Sequence, residues 1–554
     1  MHDTSRRRFL GPSGGAVGTA GLTALLDRQP VTIATAGSGF GYSDDGTNYV
    51  IDTGAGLVFK VSHGNGDMTS LVYKGIEYQG CNGQNSQVEP VLGASTVTIS
   101  RPAGGVILVT VAHGTSHHYY AARSGENNVY MWTGTADDSA TATRYIVRVR
   151  PGLFPDGDPG SWDSRTDTLI EGRDIRLKPD GTTRSKHYSG QRVIDYDYAG
   201  WSNGSVGLWM VRGDRERASG GPFHRSPLRH QDENGAGLYE TLHHGAEARR
   251  FGLQGPYILA FTDGGAPATA LFAGDRDTSW ADALGLAGWV GTAGRGRLAG
   301  VGIKGMDPDH AYTVGLANAA AQYWGPADSG TGSYAIKNIL PGTYALTIYK
   351  GELAVHTTTV TVLAGAVTAL HTITISGDPS AAAVIWRIGD WDGTPTGFKN
   401  AALVTYAHPS DVRAERWTGD HIIGTSADDS FPCYLWKDVN GGLKIYFRLT
   451  AAQLAAAHPL RIGVTTAYAN GRPRITVNDW TSSIPVAAGE PGTRSLTVGS
   501  YRGDNHTYTF DVPAGAWLTD ASEYNVLTLN VVGGSGTTGY LSAGFALDCV
   551  ELGA

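Results

Sequence analysis

The chain has 554 residues, of which 41% are hydrophobic, 17% are charged and 78 are glycine, and its formal net charge is −8. This length predicts roughly two to four domains, and the apolar fraction does not fit a disordered chain. The negative charge argues against a nucleic-acid partner, which would need a basic surface. Abundant glycine with few charges is typical of many short strands joined by tight turns.

The N-terminus has the pattern of an export signal. SRRRFL (residues 5–10) precedes a weakly apolar, Gly/Ala-rich run, and ATA (residues 34–36) offers small side chains for cleavage. Residues 1–36 are therefore predicted to be a twin-arginine signal peptide, and we expect a secreted, extracellular protein. The apolar run is too short and too rich in glycine for a membrane span, so no membrane association is expected after signal removal.

Residues 37–293 are predicted to form one large β-sandwich. Runs with apolar alternation and β-branched or aromatic content indicate antiparallel strands. The clearest runs are residues 48–62, 143–151, 206–213 and 256–264. A short helix is predicted at residues 279–286, with Ser279 as its N-cap.

Two further β-units follow, over residues 294–377 and 378–554. YAIKNILPGTYALTIYKGE (residues 334–352) predicts a hairpin of a small sandwich, with its turn at Pro341 and Gly342. The last unit has alternating strands and many aromatics, which suits a jelly-roll, and TAAQLAA (residues 450–456) predicts a capped helical turn or two.

The three cysteines indicate no metal site and leave the question of a disulfide open. Cys81, Cys433 and Cys549 are far apart in sequence, and no CxxC pair suggests a structural zinc. A disulfide between Cys433 and Cys549 and a set of buried free thiols are both compatible with the sequence.

GTTRSKHYSGQR (residues 181–192) gathers cations in an otherwise acidic protein and contains no acid. On a strand, Arg184, Lys186, Tyr188 and Arg192 would share one face, with His187 on the other. A solvated strand face is the ordinary interpretation of such a row, and an anion-binding site is the functional one.

The functional interpretation leads to a specific chemistry. Crowded cations favour the neutral form of a lysine, and a neutral Lys186 could remove a proton alpha to a carboxylate. Neighbouring arginines would stabilise the negative charge that develops, and a histidine across the site would protonate the leaving oxygen. This chemistry is β-elimination on a uronate.

Other unusual polar residues of the first unit fit the same site. They are Arg144 in TRYIVRV, Gly220 and Gly221 in SGGPF (residues 219–223), and Tyr239, His243 and His244 in GLYETLHHGAEARRFGLQGPY (residues 237–257). The paired glycines let backbone approach closely.

Five stretches together resemble the rhamnogalacturonan lyases of polysaccharide lyase family 4. They are TRSKHYSGQRVID (183–195), SGGPF (219–223), GLQGPY (252–257), LPGTY (340–344) and IWRIGDWDGTPTGFKNA (385–401). The resemblance covers essentially the whole mature chain. It implies an all-β protein with a catalytic N-terminal β-super-sandwich (galactose-mutarotase-like), a fibronectin-III-like middle domain and a C-terminal jelly-roll similar to a carbohydrate-binding module.

The resemblance also implies an activity. Family members cleave the rhamnose-(1→4)-galacturonate bond of the pectin polysaccharide rhamnogalacturonan I by β-elimination and leave a 4,5-unsaturated galacturonate at the new non-reducing end. We expect an endo-acting monomer that requires no cofactor.

The family's motifs assign roles to single residues. The catalytic lysine of a TRSK-type motif matches Lys186, expected as the base, and the substrate-binding arginine of an R-[FY]-I segment matches Arg144. The family's SGHxQTE segment reads TLHHGAE here. Counting back from GLQGPY favours His243 as the acid, with His244 as the alternative. Further substrate-binding residues are expected to be Arg184, Arg192 and Tyr239.

Two other functions remain open from the sequence. A glycoside hydrolase needs two carboxylates, and Asp195, Asp197 and Glu247 are available. A pectin-binding protein with a decayed lyase site is the second alternative, because TLHHGAE is atypical.

Two weaker features are also open. PDGDPGSWD (residues 155–163) is a candidate loop for a structural Ca²⁺, with a plain turn as the more common outcome. Trp386 and Trp391 could stack on sugar or pack in the core.

Overall fold

The computed structural model describes residues 39–102, 104–135, 142–244, 247–274, 276–488, 505–534 and 536–554. The predicted signal peptide, residues 1–36, lies outside the described residues. The described part is almost entirely β-structure, as the sequence predicts. No helix within it is long and apolar enough to cross a membrane.

The N-terminal part contains nineteen described strands. They are β1 (Gly41–Asp44), β2 (Asn48–Asp52), β3 (Leu57–Ser62), β4 (Met68–Tyr73), β5 (Ile76–Glu77), β6 (Gln87–Glu89), β7 (Thr96–Ser100), β8 (Val106–His113), β9 (Ser116–Arg123), β10 (Asn128–Thr135), β11 (Ala142–Val149), β12 (Thr168–Glu171), β13 (Ile175–Leu177), β14 (Thr183–Arg184), β15 (Tyr198–Ser202), β16 (Gly207–Val211), β17 (Arg229–Asp232), β18 (Gly235–His244) and β19 (Gly252–Thr262).

These strands form four sheets. Strands β1 to β5 make a five-stranded sheet, and a seven-stranded sheet has the order β15-β16-β19-β10-β9-β8-β7. A four-stranded sheet has the order β17-β18-β11-β6, and β12, β13 and β14 form a small three-stranded sheet. The four runs expected to be strands all contain strands of these sheets.

One buried apolar cluster joins the first three sheets. Phe59 comes from the five-stranded sheet, Val109 from the seven-stranded sheet, and Val147 and Leu238 from the four-stranded sheet. Because side chains alternate along a strand, the four-stranded sheet presents its other face away from this core. That outer face carries the candidate site.

The helix expected at residues 279–286 is a shorter 3-10 helix, Ser279–Ala283. Ser279 is its first residue and not its N-cap, which is Thr278. The Ser279 hydroxyl and backbone N–H both donate to Asp277, so Ser279 is bonded within the preceding turn. The other 3-10 helices of this part are Lys186–Ser189, Val193–Asp195, Thr269–Leu271 and Thr292–Gly294.

The middle part is a small sandwich of nine strands. They are β20 (Gly296–Gly300), β21 (Ile303–Lys304), β22 (Tyr312–Ala317), β23 (Gln322–Pro326), β24 (Tyr334–Ile339), β25 (Gly342–Lys350), β26 (Leu353–Val362), β27 (Val367–Leu370) and β28 (Ile373–Thr374). The predicted hairpin at residues 334–352 is wrong, because β24 and β25 belong to different sheets. The chain crosses the sandwich at Pro341, so the two strands face each other across the core.

The described residues of the C-terminal part form two five-stranded sheets packed as a jelly-roll. Its strands are β29 (Val384–Gly389), β30 (His421–Ile422), β31 (Tyr434–Trp436), β32 (Leu443–Phe447), β33 (His458–Tyr468), β34 (Arg472–Val477), β35 (Trp480–Thr481), β36 (His506–Val512), β37 (Asn525–Val532) and β38 (Gly544–Gly553). The sheets have the orders β29-β38-β33-β36, with β31 also beside β38, and β30-β32-β37-β34-β35.

The short elements of this part include the predicted capped turn. It is α1 (Ala451–Leu454), and a capping box joins Thr450 and Gln453. The 3-10 helices are Pro379–Ala381, Leu403–Thr405, Asp428–Ser430, Ala514–Ala516 and Gly539–Leu541.

The three cysteines are free and buried. Of the two possibilities that the sequence leaves open, the free-thiol interpretation is therefore confirmed, and Cys433 and Cys549 form no disulfide. Backbone pairing explains this, because the N–H of Leu547 donates to the carbonyl of Cys433, which leaves Cys549 two residues further along β38.

Candidate active site

The cation-rich segment of residues 181–192 is not a continuous strand. After the two-residue strand β14, Lys186–Ser189 form a 3-10 helix, and a second 3-10 helix covers Val193–Asp195. Ser185 caps the first helix by accepting a hydrogen bond from the N–H of His187. The expected same-face row is therefore wrong, because a helical turn points successive side chains in different directions.

Lys186 has an acidic partner that the segment itself lacks. Its Nζ lies 2.7 Å from Oδ2 of Asp174, which follows β12 in the turn to β13. Burial by itself would raise the pKa of Asp174, but the adjacent Lys186 outweighs burial and lowers the pKa below its ordinary value. An ionised carboxylate at this distance stabilises the protonated amine, so crowded cations do not describe the surroundings of Lys186.

Arg144 lies on the outer face of the four-stranded sheet. Its neighbours Tyr145 and Val147 point into the core, and alternation turns Arg144 and Arg148 outwards. Nε of Arg144 donates to Glu89 at 2.5 Å, and the guanidinium lies 5.3 Å from the ring centroid of Tyr239. The structure thus brings together Arg144 and Tyr239, two residues predicted to bind substrate.

Buried His230 bonds Tyr239 and interacts electrostatically with Lys186. The Tyr239 hydroxyl lies 2.6 Å from Nδ1 of His230, and the His230 ring stacks on Trp162 at 5.4 Å between centroids. Burial, with smaller contributions from Lys186 and Arg148, lowers the pKa of His230 to about 3. His230 is therefore a neutral hydrogen-bonding group at neutral pH, within the electrostatic reach of Lys186.

A β-bulge decides which way the two candidate histidines point. Thr143 pairs with His243, but Arg144 pairs with Thr241, so Leu242 is an extra residue in β18. Residues opposite each other in an antiparallel pair share a face. His244, opposite Ala142, consequently shares the outer face with Arg144, whereas His243 shares the inner face of Thr143.

The surroundings of the histidines agree with this register. Burial and, to a lesser extent, the Arg144 guanidinium lower the pKa of His244. His243 is buried, and its Nδ1 lies 2.8 Å from the hydroxyl of Ser219 in the SGGPF loop. Both histidines therefore lie at this end of β18, and the charge of Arg144 acts on His244.

Arg184 and Arg192 lie in other surroundings. Arg184 donates to the carbonyl of Thr183 at 2.8 Å. Arg192 is held by two carboxylates, with Nε 2.5 Å from Asp195 and NH1 3.2 Å from Glu352 of the middle part. Among the described contacts, none joins Arg192 to Lys186.

Sequence reasoning did not single out several residues of this site. They are Asp174, Glu89, Arg148, His230 and Trp162. The spacing of Arg148, four residues after Arg144 on one strand, is a signal that could have found it. The two carboxylates sit at ordinary strand ends, and nothing in the local sequence distinguishes them from surface acids.

The alternatives left open by the sequence can also be placed. Two of the three acids of the candidate Ca²⁺ loop pair with arginines, Asp158 with Arg229 at 2.5 Å and Asp163 with Arg165 at 2.5 Å. Within the described ranges no group of three or more His, Cys, Asp or Glu side chains is arranged to hold a metal ion.

The carboxylates that a hydrolase would need are also engaged with arginines. Asp195 pairs with Arg192, Asp197 lies 3.6 Å from Arg212, and Glu247 lies 3.3 Å from Arg250. Separately, Trp386 and Trp391 are only 5% and 1% exposed, so they pack in the core of the C-terminal part.

Three family models match the chain in succession. The model described as "Rhamnogalacturonan lyase B, N-terminal" matches residues 40–288. The models described as "Polysaccharide lyase family 4, domain II" and "Polysaccharide lyase family 4, domain III" match residues 294–370 and 384–552.

Known proteins match nearly the full length. "Rhamnogalacturonate lyase A" of Aspergillus aculeatus is 38% identical over 542 residues, which is 96% of this chain and 99% of that protein. "Rhamnogalacturonate lyase A" of Emericella nidulans is 37% identical over 543 residues, with the same coverage. Among solved structures, the periplasmic domain of Thermotoga maritima YidC aligns over 45% of this chain and 99% of that domain at 10% identity, with a TM-score of 0.21, too low to support an argument.

Proposed function

The chain belongs to polysaccharide lyase family 4, and from this premise we propose that it cleaves rhamnogalacturonan I at the rhamnose-(1→4)-galacturonate bond by β-elimination. Its product would carry a 4,5-unsaturated galacturonate at the non-reducing end. The observation that carries the proposal is that Arg144 and His244 share one sheet face, and that Arg144 packs on Tyr239, which bonds His230, a histidine on which the charge of Lys186 acts.

The proposed reaction uses these side chains in turn. The Lys186 amine, in its neutral form, takes the C5 proton of a galacturonate, and the electron pair left behind forms the C4–C5 double bond as the C4–O bond breaks. A histidine gives a proton to the departing oxygen. Asp174 stabilises the ammonium that the first step creates, and Arg144 offers positive charge to the substrate carboxylate as negative charge develops on it.

For the histidine, the sequence favours His243 and the strand register favours His244. We propose His244 as the proton donor, because it shares the outer face with Arg144 and Tyr239. His243 then lies on the inner face of the sheet next to His244, where it bonds the Ser219 hydroxyl.

Further properties belong to the same proposal. The basic, export-type N-terminus supports secretion through the twin-arginine route, and the relatives' names support a pectin polysaccharide as substrate. We propose endo cleavage by a monomer without a required cofactor.

The test is ultraviolet absorbance of the purified protein with rhamnogalacturonan I, beside homogalacturonan as a control. Only elimination creates the unsaturated uronate chromophore, so rising absorbance reports lyase activity. The expected result is a rise on rhamnogalacturonan alone, because homogalacturonan lacks the rhamnose–galacturonate bond. Lys186→Ala should lower the rate at least about 100-fold, the lower range for a proton-transferring group. Release of reducing ends without absorbance would instead indicate a hydrolase, and binding without either product would indicate a binding protein.

A further inference from the structure

The C-terminal jelly-roll reaches the loop that carries Lys186. Thr183 lies three residues before the lysine, and both its N–H and its hydroxyl donate to Oδ2 of Asp411, at 2.6 and 2.8 Å. The Thr183 hydroxyl also accepts a hydrogen bond from the N–H of His408 at 2.9 Å. Thr183 is 0% exposed and Asp411 is 3% exposed, so this contact is buried.

Neighbouring contacts continue the same interface. The N–H of Val412 donates to the carbonyl of Gly181 at 2.9 Å, and Nε2 of His408 lies 3.1 Å from Glu171 at the end of β12. Tyr406 packs on the small apolar cluster that contains Tyr188 of the Lys186 helix. Residues 406–412 thus touch the chain on both sides of Asp174 and Lys186.

The contacts of Asp411 keep its carboxylate ionised, so that it accepts hydrogen bonds in this position. Its two oxygens receive Nε and NH2 of Arg413 at 2.7 and 2.8 Å. Burial would raise the pKa of Asp411, but the hydrogen bonds from Arg413 and Thr183 outweigh burial and hold the pKa well below its ordinary value. Hydrogen bonds to an ionised group are shorter and stronger than neutral ones.

We propose that Asp411 and Thr183 are positioning residues for Lys186, so that the jelly-roll helps to orient the proposed base in addition to any role in binding polysaccharide. The geometry supports this, because only Arg184 and Ser185 separate Thr183 from Lys186, and Ser185 caps the 3-10 helix that begins at Lys186. The inference rests on the proposed function, since it concerns the orientation of the amine for proton removal.

The test compares four full-length variants for kcat and KM on rhamnogalacturonan I. Asp411→Ala and Thr183→Val should each lower kcat by about 10- to 100-fold, because small displacements of a catalytic group cost rates of this order, while KM changes little. Thr183→Ser keeps the hydroxyl and should retain near wild-type kcat. Asp378→Ala is the matched control, because Asp378 bonds Lys350 and Ser380 and not this loop.

The double variant Asp411→Ala/Thr183→Val should lose less than the product of the two single losses, as expected for residues that act together. A wild-type kcat in Thr183→Val, or an equal loss in Asp378→Ala, would overturn the proposal. If Asp411→Ala does not fold, the contrast between Thr183→Val and Thr183→Ser decides. Failure of the proposed function would look different, because the wild-type protein itself would produce no absorbance.

Discussion

The two side chains proposed to move protons sit in opposite electrostatic surroundings. Lys186 faces the ionised carboxylate of Asp174, whereas His244 is half-buried beside the Arg144 cation. The first arrangement stabilises a protonated amine and the second disfavours a charged imidazole. Assignment of acid and base therefore depends on how the rate responds to pH.

Asp174→Asn tests the base. If Lys186 must lose its proton, the rate rises with pH, and removing the carboxylate destabilises the ammonium. The rising limb of the pH–rate profile should then move to lower pH. A falling limb that moves instead would identify Lys186 as the acid.

The same variant has a stability signature. The pKa of Asp174 is lowered in the folded protein, so its ion pair contributes stability that is present above the unfolded-state pKa of about 4 and is lost as pH falls through the folded-state value. Asp174→Asn should therefore be less stable than wild type at neutral pH, and the difference should shrink in acid. Urea unfolding at several pH values measures this, and a constant difference would contradict the assignment.

A pair of alanine variants distinguishes the histidines. His244→Ala should lower kcat about 100-fold or more, as for loss of a proton donor, because His244 shares the face of Arg144. His243→Ala should have the smaller effect on kcat and the larger effect on stability, since it empties a buried position bonded to Ser219. The reverse order would return the donor role to His243.

Among the elements, short irregular segments matter more for this site than the long strands. A 3-10 turn presents Lys186, a bulge in β18 directs His244, and the SGGPF loop holds His243. The long strands supply a rigid sheet from which these segments project. The SGGPF loop requires glycine at position 220. Its φ is +88°, and an added Cβ would lie 2.4 Å from Nδ1 of His224.

Gly220→Ala and Gly221→Ala form a matched pair. Both positions have positive φ, so each variant should lose roughly 1–2 kcal/mol of unfolding free energy through backbone strain. Only Gly220→Ala adds the clash with His224, since nothing lies within 4 Å of a Cβ at Gly221. Gly220→Ala should therefore be the less stable variant in denaturant unfolding and should lose activity, and equal behaviour of the two would contradict this account of the loop.

At the scale of the whole molecule, buried polar contacts tie the three parts together. Glu352 of the middle part is 5% exposed and lies 3.2 Å from both Arg192 and Arg225. Asp411 of the jelly-roll holds Thr183 of the N-terminal part. A buried carboxylate that loses its cations is costly, so such contacts fix how neighbouring parts meet.

Arg192→Ala separates this interface role from the predicted role in substrate binding. If Arg192 serves the interface, the variant should lose roughly 1–3 kcal/mol of unfolding free energy and keep the wild-type KM. Glu352→Gln should behave in the same way, because it neutralises the shared partner. A KM that rises several-fold in Arg192→Ala alone would restore the substrate-binding role.

The sequence by itself determined the family and the all-β character, and it singled out Lys186, Arg144 and the histidine pair as candidate site residues. The motifs indicate the family and the residues, and apolar alternation indicates the strands. Both can be read from neighbouring residues in the chain. Only the tertiary structure decided the partners of these residues. Glu89 bonds Arg144, Asp174 bonds Lys186, and Asp411 bonds Thr183 from 228 residues away. The tertiary structure also decided the direction of His244, since a single unpaired residue in β18 reverses the alternation that sequence spacing assumes.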